Sequence, residues 1–541
     1  MSKIAAYLQE HILGEVSIQP SVLDIVSTDA SILTLAPEMV VYPRLTNDIR
    51  KVARFAWQLA EKGHVLPLTA RGSGTDQTGA AIGRGVILAL PAHMNRLFEF
   101  DVRQKLVRVQ PGLNAKALSD ALSMHGMAIP ALPRSAAYST IGGAVANNAS
   151  SALSGRFGSM VDWVHQLEVV LANGDVLQTG RLSKRDLAKK KGLTGFEGEI
   201  YRTIDNLIED YKELIETKIA TDVRDNVGYT SIADVKHKDG SFDLTPLIVG
   251  SQGTLGIVSE MILKTDFVGT NDAVAVALFS TPEAARDALD TLVDLEPALL
   301  EYYDGDLFQV AAKQGKVYSF YSVTDHRAAV VVSFSDINEH ARLRKLKKAA
   351  KRLSQAEAFT VTSDEVMSDE LLAVRDVVSY TLLPATKGAS APPLFDGAYV
   401  PRERREEFTA AVNALAVKHH VTLPLYGHIL ENLWYTRPTI QLQHVGDKQK
   451  VFKLLDEFAN LVTSHGGHLI GEAGEGRVKT HAVYRQLDDD VLELFAAVKA
   501  AFDPQGILNP GVKQATELRY LVSQLRSDYT LPRLADQTLA N

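Results

Sequence analysis

Three stretches concentrate small residues able to meet an anion. The first, TARGSGTDQTGAA (residues 69–81), carries Gly72, Gly74 and Gly79 with Ser73, Thr75 and Thr78 among them. Glycine at that density forces tight, partly left-handed turns, and such turns align backbone N–H groups that can hold an anion. A P-loop needs a Lys-Ser/Thr pair behind its last glycine, but here Ala80-Ala81 follows Gly79. A Rossmann fingerprint needs GxGxxG opening a helix, but here the third glycine comes late and AAIGRGVILAL reads as loop and strand. Alone, this loop fits a purely structural turn equally well. A second loop, YSTIGGAVANNASS (residues 138–151), has Gly142 and Gly143 for close backbone approach and the hydroxyls of Ser139 and Thr140. A third is GSQGTLGIV (residues 250–258). Three such loops suit one extended cofactor better than a single phosphate.

The elements around these loops are short strands mixed with helices. In PEMVVYPRLTNDIRKVARFAWQLAEKG the pattern predicts a strand, then a helix capped by Thr46 or Asn47, with Asp48 in its first turn and Gly63 at its end. HVLPLT, GVILAL and KLVRVQPG read as strands, and HQLEVVLANGDVLQTG as a hairpin about Asn173-Gly174. Residues 183–240 are polar and helical and look like an insertion. After residue 267 a strand–helix–strand rhythm sets in, from AVAVALFS through ALLEYYD and AAVVVSFSD to TLPLYGHI, predicting an α+β sheet covered by helices on one face.

The bulk numbers narrow the function. The 541 residues are 46% hydrophobic and 23% charged, with net charge −8, so a globular protein with no nucleic-acid partner is expected. Cysteine is absent, which removes disulfides, thiol nucleophiles and cysteine-held iron–sulfur clusters. The start, MSKIAAYLQEHILGEV, lacks a basic segment followed by an apolar core, so no signal peptide is expected. No window of ~18 apolar residues predicts a membrane span. The expected location is cytoplasmic, with peripheral contact at the inner face of a membrane left open.

The motifs VVYPRLTNDIRKVARFA, PLTARGSGTDQTGAA, VQPG, STIGGAVANNAS, LEVVLANGDVLQTG and VGSQGTLGIVSE, with GEAGEGRVK and DPQGILNPG near the end, resemble the vanillyl-alcohol oxidase / p-cresol methylhydroxylase (PCMH) superfamily of flavoproteins. Within it the chain resembles the D-lactate dehydrogenase / glycolate oxidase FAD-subunit branch. The resemblance covers residues 36–266 and 420–513. It implies that Arg71, Gly72, Ser73, Gly74, Thr75 and Gly79 surround the FAD pyrophosphate, that Ser139, Thr140, Gly142 and Gly143 lie along it, that Ile257 and its neighbours hold the adenosine half, and that Asn509 contacts the cofactor. Family members that link the flavin through this loop have a histidine where this chain has Thr75, so non-covalent FAD is expected.

On the substrate side the chain departs from the branch. The family cluster of two histidines and a glutamate around a divalent metal follows GH-x-GDGN-x-H and a distant GEHG. Here the first motif reads GHILENLWY and the second GEAGEG. His428 and Glu472 keep two ligand positions. The other histidines are replaced by Tyr435 (or Trp434, with a one-residue deletion) and Ala473. Two ligands do not make a catalytic metal site unaided, so no metal is assigned. The resemblance puts Arg375 on a substrate carboxylate and Leu394 in place of a second, lysine contact, with Lys387 nearby in sequence. The bland readings are a core histidine, a salt-bridging arginine and core aromatics. The alternative for Tyr435 is acid–base work, as tyrosine does elsewhere in the superfamily.

The expected organisation is a helical lead-in (1–35), a PCMH-type FAD-binding domain of two α+β subdomains (36–266, with the insertion 183–240), a C-terminal substrate domain with an antiparallel sheet (267–513) and a peripheral tail (514–541). The expected activity is FAD-dependent oxidation of an alcohol-type small-molecule substrate, a D-2-hydroxy acid such as lactate or glycolate. Electrons would leave to a separate acceptor: a quinone, a carrier protein or oxygen. The alternatives are a polyol or sugar alcohol as substrate, or a flavoprotein electron-transfer subunit with little chemistry of its own.

Overall fold

A computed structural model of the chain describes residues 3–267, 272–336, 338–380, 391–527 and 529. They fall into two compact units, the first built from 3–151, 159–266 and 472–525, the second from the described residues of 152–158, 267–471 and 526–529. Residues 472–513, grouped by the sequence division with the C-terminal domain, pack into the first unit. The reason is local: Ile507 and Leu508 belong to its core, Leu508 bridges Leu68 in parallel, and buried Lys499 donates to the carbonyls of Thr254 and Leu508.

The first unit has two main sheets. Strands β1 (Glu15–Ser17), β2 (Met39–Tyr42), β3 (Leu68–Arg71) and β4 (Val86–Ala89) form one, in the order β1-β2-β4-β3. Its two parallel pairings are short and apolar, β2 and β3 both running parallel to β4. The lead-in is thus part strand, since β1 pairs antiparallel with β2. Helix Thr46–Ala60 covers this sheet with Ile49, Val52, Ala53 and Ala56 in the core. Neither Thr46 nor Asn47 caps it; instead the buried Asp48 carboxylate accepts from Leu13, Gly14 and Arg44 N–H and ties the lead-in down. The second sheet joins β5 (Leu97–Asp101), β6 (Leu106–Val109), β7 (Val164–Val170), β8 (Val176–Gln178) and β9 (Ile257–Lys264) in the antiparallel order β5-β6-β9-β7-β8. The β7–β8 hairpin turns at Gly174, whose φ is +84°.

The insertion 183–240 is anchored at its far end. Gly228 N–H and the Tyr484 hydroxyl donate to Glu475 Oε1, and Lys513 Nζ donates to Glu475 Oε2 and to the carbonyls of Asn226 and Gly228. Glu475 and Lys513 are both almost fully buried. Asn148 and Thr254, beside the second and third glycine loops, bond to Asn226 and Tyr229 of the insertion.

The second unit is built on one seven-stranded antiparallel sheet. Its strands are β10 (Ala273–Phe279), β11 (Leu299–Asp304), β12 (Ala328–Phe334), β13 (Ala358–Thr362), β14 (Ala398–Tyr399), β15 (Tyr426–His428) and β16 (Leu433–Tyr435). The order is β13-β10-β12-β11-β15-β16-β14. Alternation along a strand sends successive side chains to opposite faces. On one face Val274, Val276, Tyr303, Tyr426 and Tyr435 pack with Phe308 and Leu371 from helices Gly305–Lys313 and Glu365–Leu372. On the other, Tyr302 and Trp434 meet edge to face, and Trp434 packs on Phe408 of helix Arg405–His419. The sheet therefore carries helices on both faces.

Candidate flavin cradle and polar network

The three glycine loops converge within the first unit. A cleft of about 700 Å3, mouth included, is lined by residues of all three, among them Gly72, Asp76, Thr140, Gly143, Gln252 and Gly253. The backbone N–H groups of Ser73, Gly74, Thr75, Asp76 and Gln77 donate to no acceptor among the described residues. Unpaired N–H groups in a glycine turn are donors of the kind that can hold an anion, and of these residues Asp76 lines the cleft. A Cβ on Gly143 would meet only the Thr140 hydroxyl within 4 Å, and one on Gly253 would meet nothing. Both positions keep the cleft open because they lack a side chain.

Asp76, which the sequence reading passed over, organises the first loop. Its carboxylate accepts from Thr78 N–H, Ala80 N–H and the Asn147 side-chain amide. Gln252, also passed over, donates to Thr78 Oγ1 and Asn147 Oδ1 and accepts from Gly476 N–H. An Asp two residues before a Thr in a glycine turn was the available signal.

The sequence-chosen residues take different places. Gly72 sits where a Cβ would fall 2.2 Å from Thr140 Oγ1, so glycine is required for the first two loops to touch. Gly74 and Gly79 have φ near +80° and shape the turn. Ser73 is exposed and Thr75 half-buried, both outside the cleft lining. The Arg71 guanidinium is turned inward, donating to the carbonyls of Thr28 and Ala81. Burial lowers its affinity for the proton, partly offset by Asp29 and Asp76. Thr140 caps the helix Ile141–Ala146, accepting from Gly143 N–H, while Gly142 N–H goes to Pro111 O. Buried Ser139 Oγ has no hydrogen-bond partner among the described residues. The Ile257 side chain points into the core, and it is Gly256 and Val258 that line the cleft, as alternation along β9 requires. Asn509 is a tie between loops. Its amide donates to the carbonyls of Ala80 and Gln252, and its oxygen accepts from Thr69 and Arg477.

In the second unit, register brings a polar group together. Glu301 of β11 pairs directly with His428 of β15, and Tyr426 with Tyr435 of β16. The Tyr435 hydroxyl lies 3.1 Å from His428 Nδ1. His428 Nε2 lies 3.3 Å from Glu301 Oε1. Glu301 Oε2 accepts from Arg375 Nε at 2.8 Å and from the Tyr303 hydroxyl at 2.7 Å. Burial works against the charge on Arg375, but Glu301 and Tyr303 outweigh it and hold the guanidinium above its ordinary pKa. Sequence reasoning missed Glu301 and Tyr303. Trp434 is on the opposite face and Leu394 is buried. Lys387 lies outside the described residues. Glu472 belongs to the first unit, half-buried beside Ala473, which has a φ of +53°. Among the described residues no three His, Cys, Asp or Glu side chains are grouped to hold a metal ion. None of the described helices is long and apolar enough to cross a membrane.

Comparison with known proteins agrees with this layout. Residues 37–180 match the family described as FAD binding domain, and residues 270–512 the family described as FAD linked oxidases, C-terminal domain. The chain is 26% identical to the glycolate oxidase subunit GlcD of Bacillus subtilis, over 89% of this chain and 90% of that one. It is 26% identical to the D-2-hydroxyglutarate dehydrogenase of Pseudomonas putida, over 92% of this chain but only 50% of that one; the chain spans about half the length of that relative. In fold it matches the 4-ethylphenol oxidase from Gulosibacter chungangensis with a TM-score of 0.65 at 15% identity, over 95% and 97% of the two chains. With cradle, sheet and both family matches in agreement, the chain belongs to the FAD-linked oxidases with a PCMH-type FAD-binding domain, in the glycolate, D-lactate and D-2-hydroxyglutarate dehydrogenase branch.

Proposed function

We propose that the protein oxidises the secondary alcohol of a D-2-hydroxy acid such as lactate or glycolate's primary alcohol, with non-covalent FAD as the hydride acceptor and a separate quinone, carrier protein or oxygen as the final electron acceptor. The bound flavin supplies the two-electron oxidation. The first unit's part is to hold it. The Ser73–Gln77 N–H groups meet the diphosphate, Gly72, Gly143 and Gly253 leave it room, and Asn509, Gln252 and Asp76 fix the loops. Thr75 offers no imidazole for a covalent link. The second unit's part is acid–base chemistry, with Tyr435 and His428 as the pair that takes the substrate's hydroxyl proton. The single observation carrying this is the 3.1 Å contact between the Tyr435 hydroxyl and His428 Nδ1, because oxidation of an alcohol needs a base and this pair is one. Arg375 is the candidate for the substrate carboxylate, and Glu472 a candidate polar contact.

A second reading, a polyol or sugar alcohol as substrate, is favoured by one observation. Arg375 is already paired with Glu301 and Leu394 stands where the branch has a cation, so carboxylate recognition is weaker than in the relatives. Anaerobic reduction of the bound flavin across D-2-hydroxy acids and polyols separates the two. Bleaching by a D-2-hydroxy acid supports the first and bleaching by polyols alone the second. Bleaching by neither, with tight binding of a partner protein, supports an electron-transfer subunit. The same panel after dialysis against EDTA, and with added zinc or manganese, is expected to give unchanged rates, since both His428 ring nitrogens face protein partners.

A further inference from the structure

The geometry points to Glu301 as a positioning residue that fixes the tautomer of His428, keeping Nδ1 free to accept from the Tyr435 hydroxyl. This rests on the proposed acid–base role of that pair. An ionised carboxylate only accepts hydrogen bonds, and a neutral imidazole has one donor nitrogen and one acceptor nitrogen. Glu301 Oε1 lies 3.3 Å from Nε2, outside hydrogen-bond geometry but close enough for a negative charge to favour the hydrogen on Nε2. Nδ1 is then the acceptor, and the Tyr435 hydroxyl is 3.1 Å from it.

The other half of the carboxylate is secured separately. Oε2 accepts from Arg375 Nε and the Tyr303 hydroxyl, so a carboxylate only 1% exposed is paired with a cation. A buried charge persists only when paired and hydrogen-bonded. Tyr435 is aligned by the same strands: its ring stacks on Tyr426 at 4.6 Å, and Tyr426 stacks on Tyr303. One register across β11, β15 and β16 therefore sets the carboxylate, the imidazole and the phenol.

In the step this supports, the substrate hydroxyl proton passes to the Tyr435 oxygen as the phenolic proton moves to His428 Nδ1. The O–H electron pair would become the second bond of the carbonyl as the C–H electron pair left as hydride, for which a flavin held by the first unit's loops would supply the acceptor. The resulting imidazolium faces Glu301. The logic is that of a base oriented by a third group.

The test uses the full chain loaded with FAD. Long-range 1H–15N correlation on 15N-histidine protein, with His428 assigned by loss of its signals in His428→Asn, is expected to show the Nε2–H tautomer. The Nδ1–H tautomer would overturn the proposal. Glu301→Gln is expected to slow flavin reduction roughly a hundredfold, with half-saturation by the fastest compound of the panel within about twofold and flavin content unchanged. If Tyr435→Phe and His428→Asn lose activity while Glu301→Gln reduces flavin at the normal rate, the role of Glu301 falls and the site reading stands. If Tyr435→Phe and His428→Asn both stay active, the site reading itself falls, and this inference with it. Should Glu301→Gln not fold, the tautomer measurement on the unaltered protein decides alone.

Discussion

Gly253 shows how one missing side chain can hold a site open. Its φ is +73°, and no atom lies within 4 Å of where a Cβ would stand. Gly253→Ala would place a methyl group in the cleft and adopt a left-handed backbone at a cost of about 1–2 kcal/mol. The expected outcome is a folded protein that loses FAD on gel filtration; full retention of flavin would count against the cradle. Asp29 gives a prediction in pH. Burial, then the neighbouring charge of Asp76, raises its carboxyl to about 7, against ~3.9 in an unfolded chain. The folded state therefore holds the extra proton between those values. The stability Asp29 contributes is fully present below pH ~4 and is lost as pH rises through about 7. Asp29→Asn, which cannot ionise, is expected to leave the melting temperature unchanged at pH 4 and raise it at pH 8, as thermal unfolding by circular dichroism would show. An equal shift at both values would refute this.

At the scale of elements, the far end of the insertion 183–240 is held by a buried ion pair outside it, Glu475 with Lys513. Lys513→Met leaves Glu475 buried without its cation, a change of about 3–5 kcal/mol in the unfavourable direction. The expected results are a lower melting temperature and faster proteolytic cutting near residues 220–228, both partly restored by Glu475→Gln in the same chain. The elements were unequally legible in the sequence. Glycine loops announce themselves, because the left-handed backbone at Gly74, Gly79 and Gly253 favours glycine, and the hairpin at Asn173-Gly174 was readable for the same reason. Glu301 was not, since its meaning comes from a strand register that pairs it with distant His428. In the sequence it is one acidic residue in an apolar strand. Ile257 shows the limit of resemblance: the segment is at the cleft, but alternation turns that one side chain to the core.

On the scale of the whole molecule, the sequence placed the change of rhythm near residue 267 but not the return at 472. A return has no compositional signature. It is created by Lys499, Arg477 and Asn509 finding partners on loops laid down hundreds of residues earlier. A chain ended after Gly471 is therefore expected to purify without flavin, and to gain none when incubated with excess FAD, as absorbance near the flavin band would show. Flavin uptake by that chain would mean the early loops suffice.

The same path through the fold sets an order of events during synthesis. The ribosome releases β1 to β9 first, but the ties that Asn509 makes to Ala80 and Gln252 must wait for nearly the whole chain. The stretch 267–471 is continuous and can collapse in the meantime. Until then the glycine loops are tied by Asp76, Asn147 and Gln252. The Asn509 braces on the first and third glycine loops thus form only after the stretch 267–471 has been made.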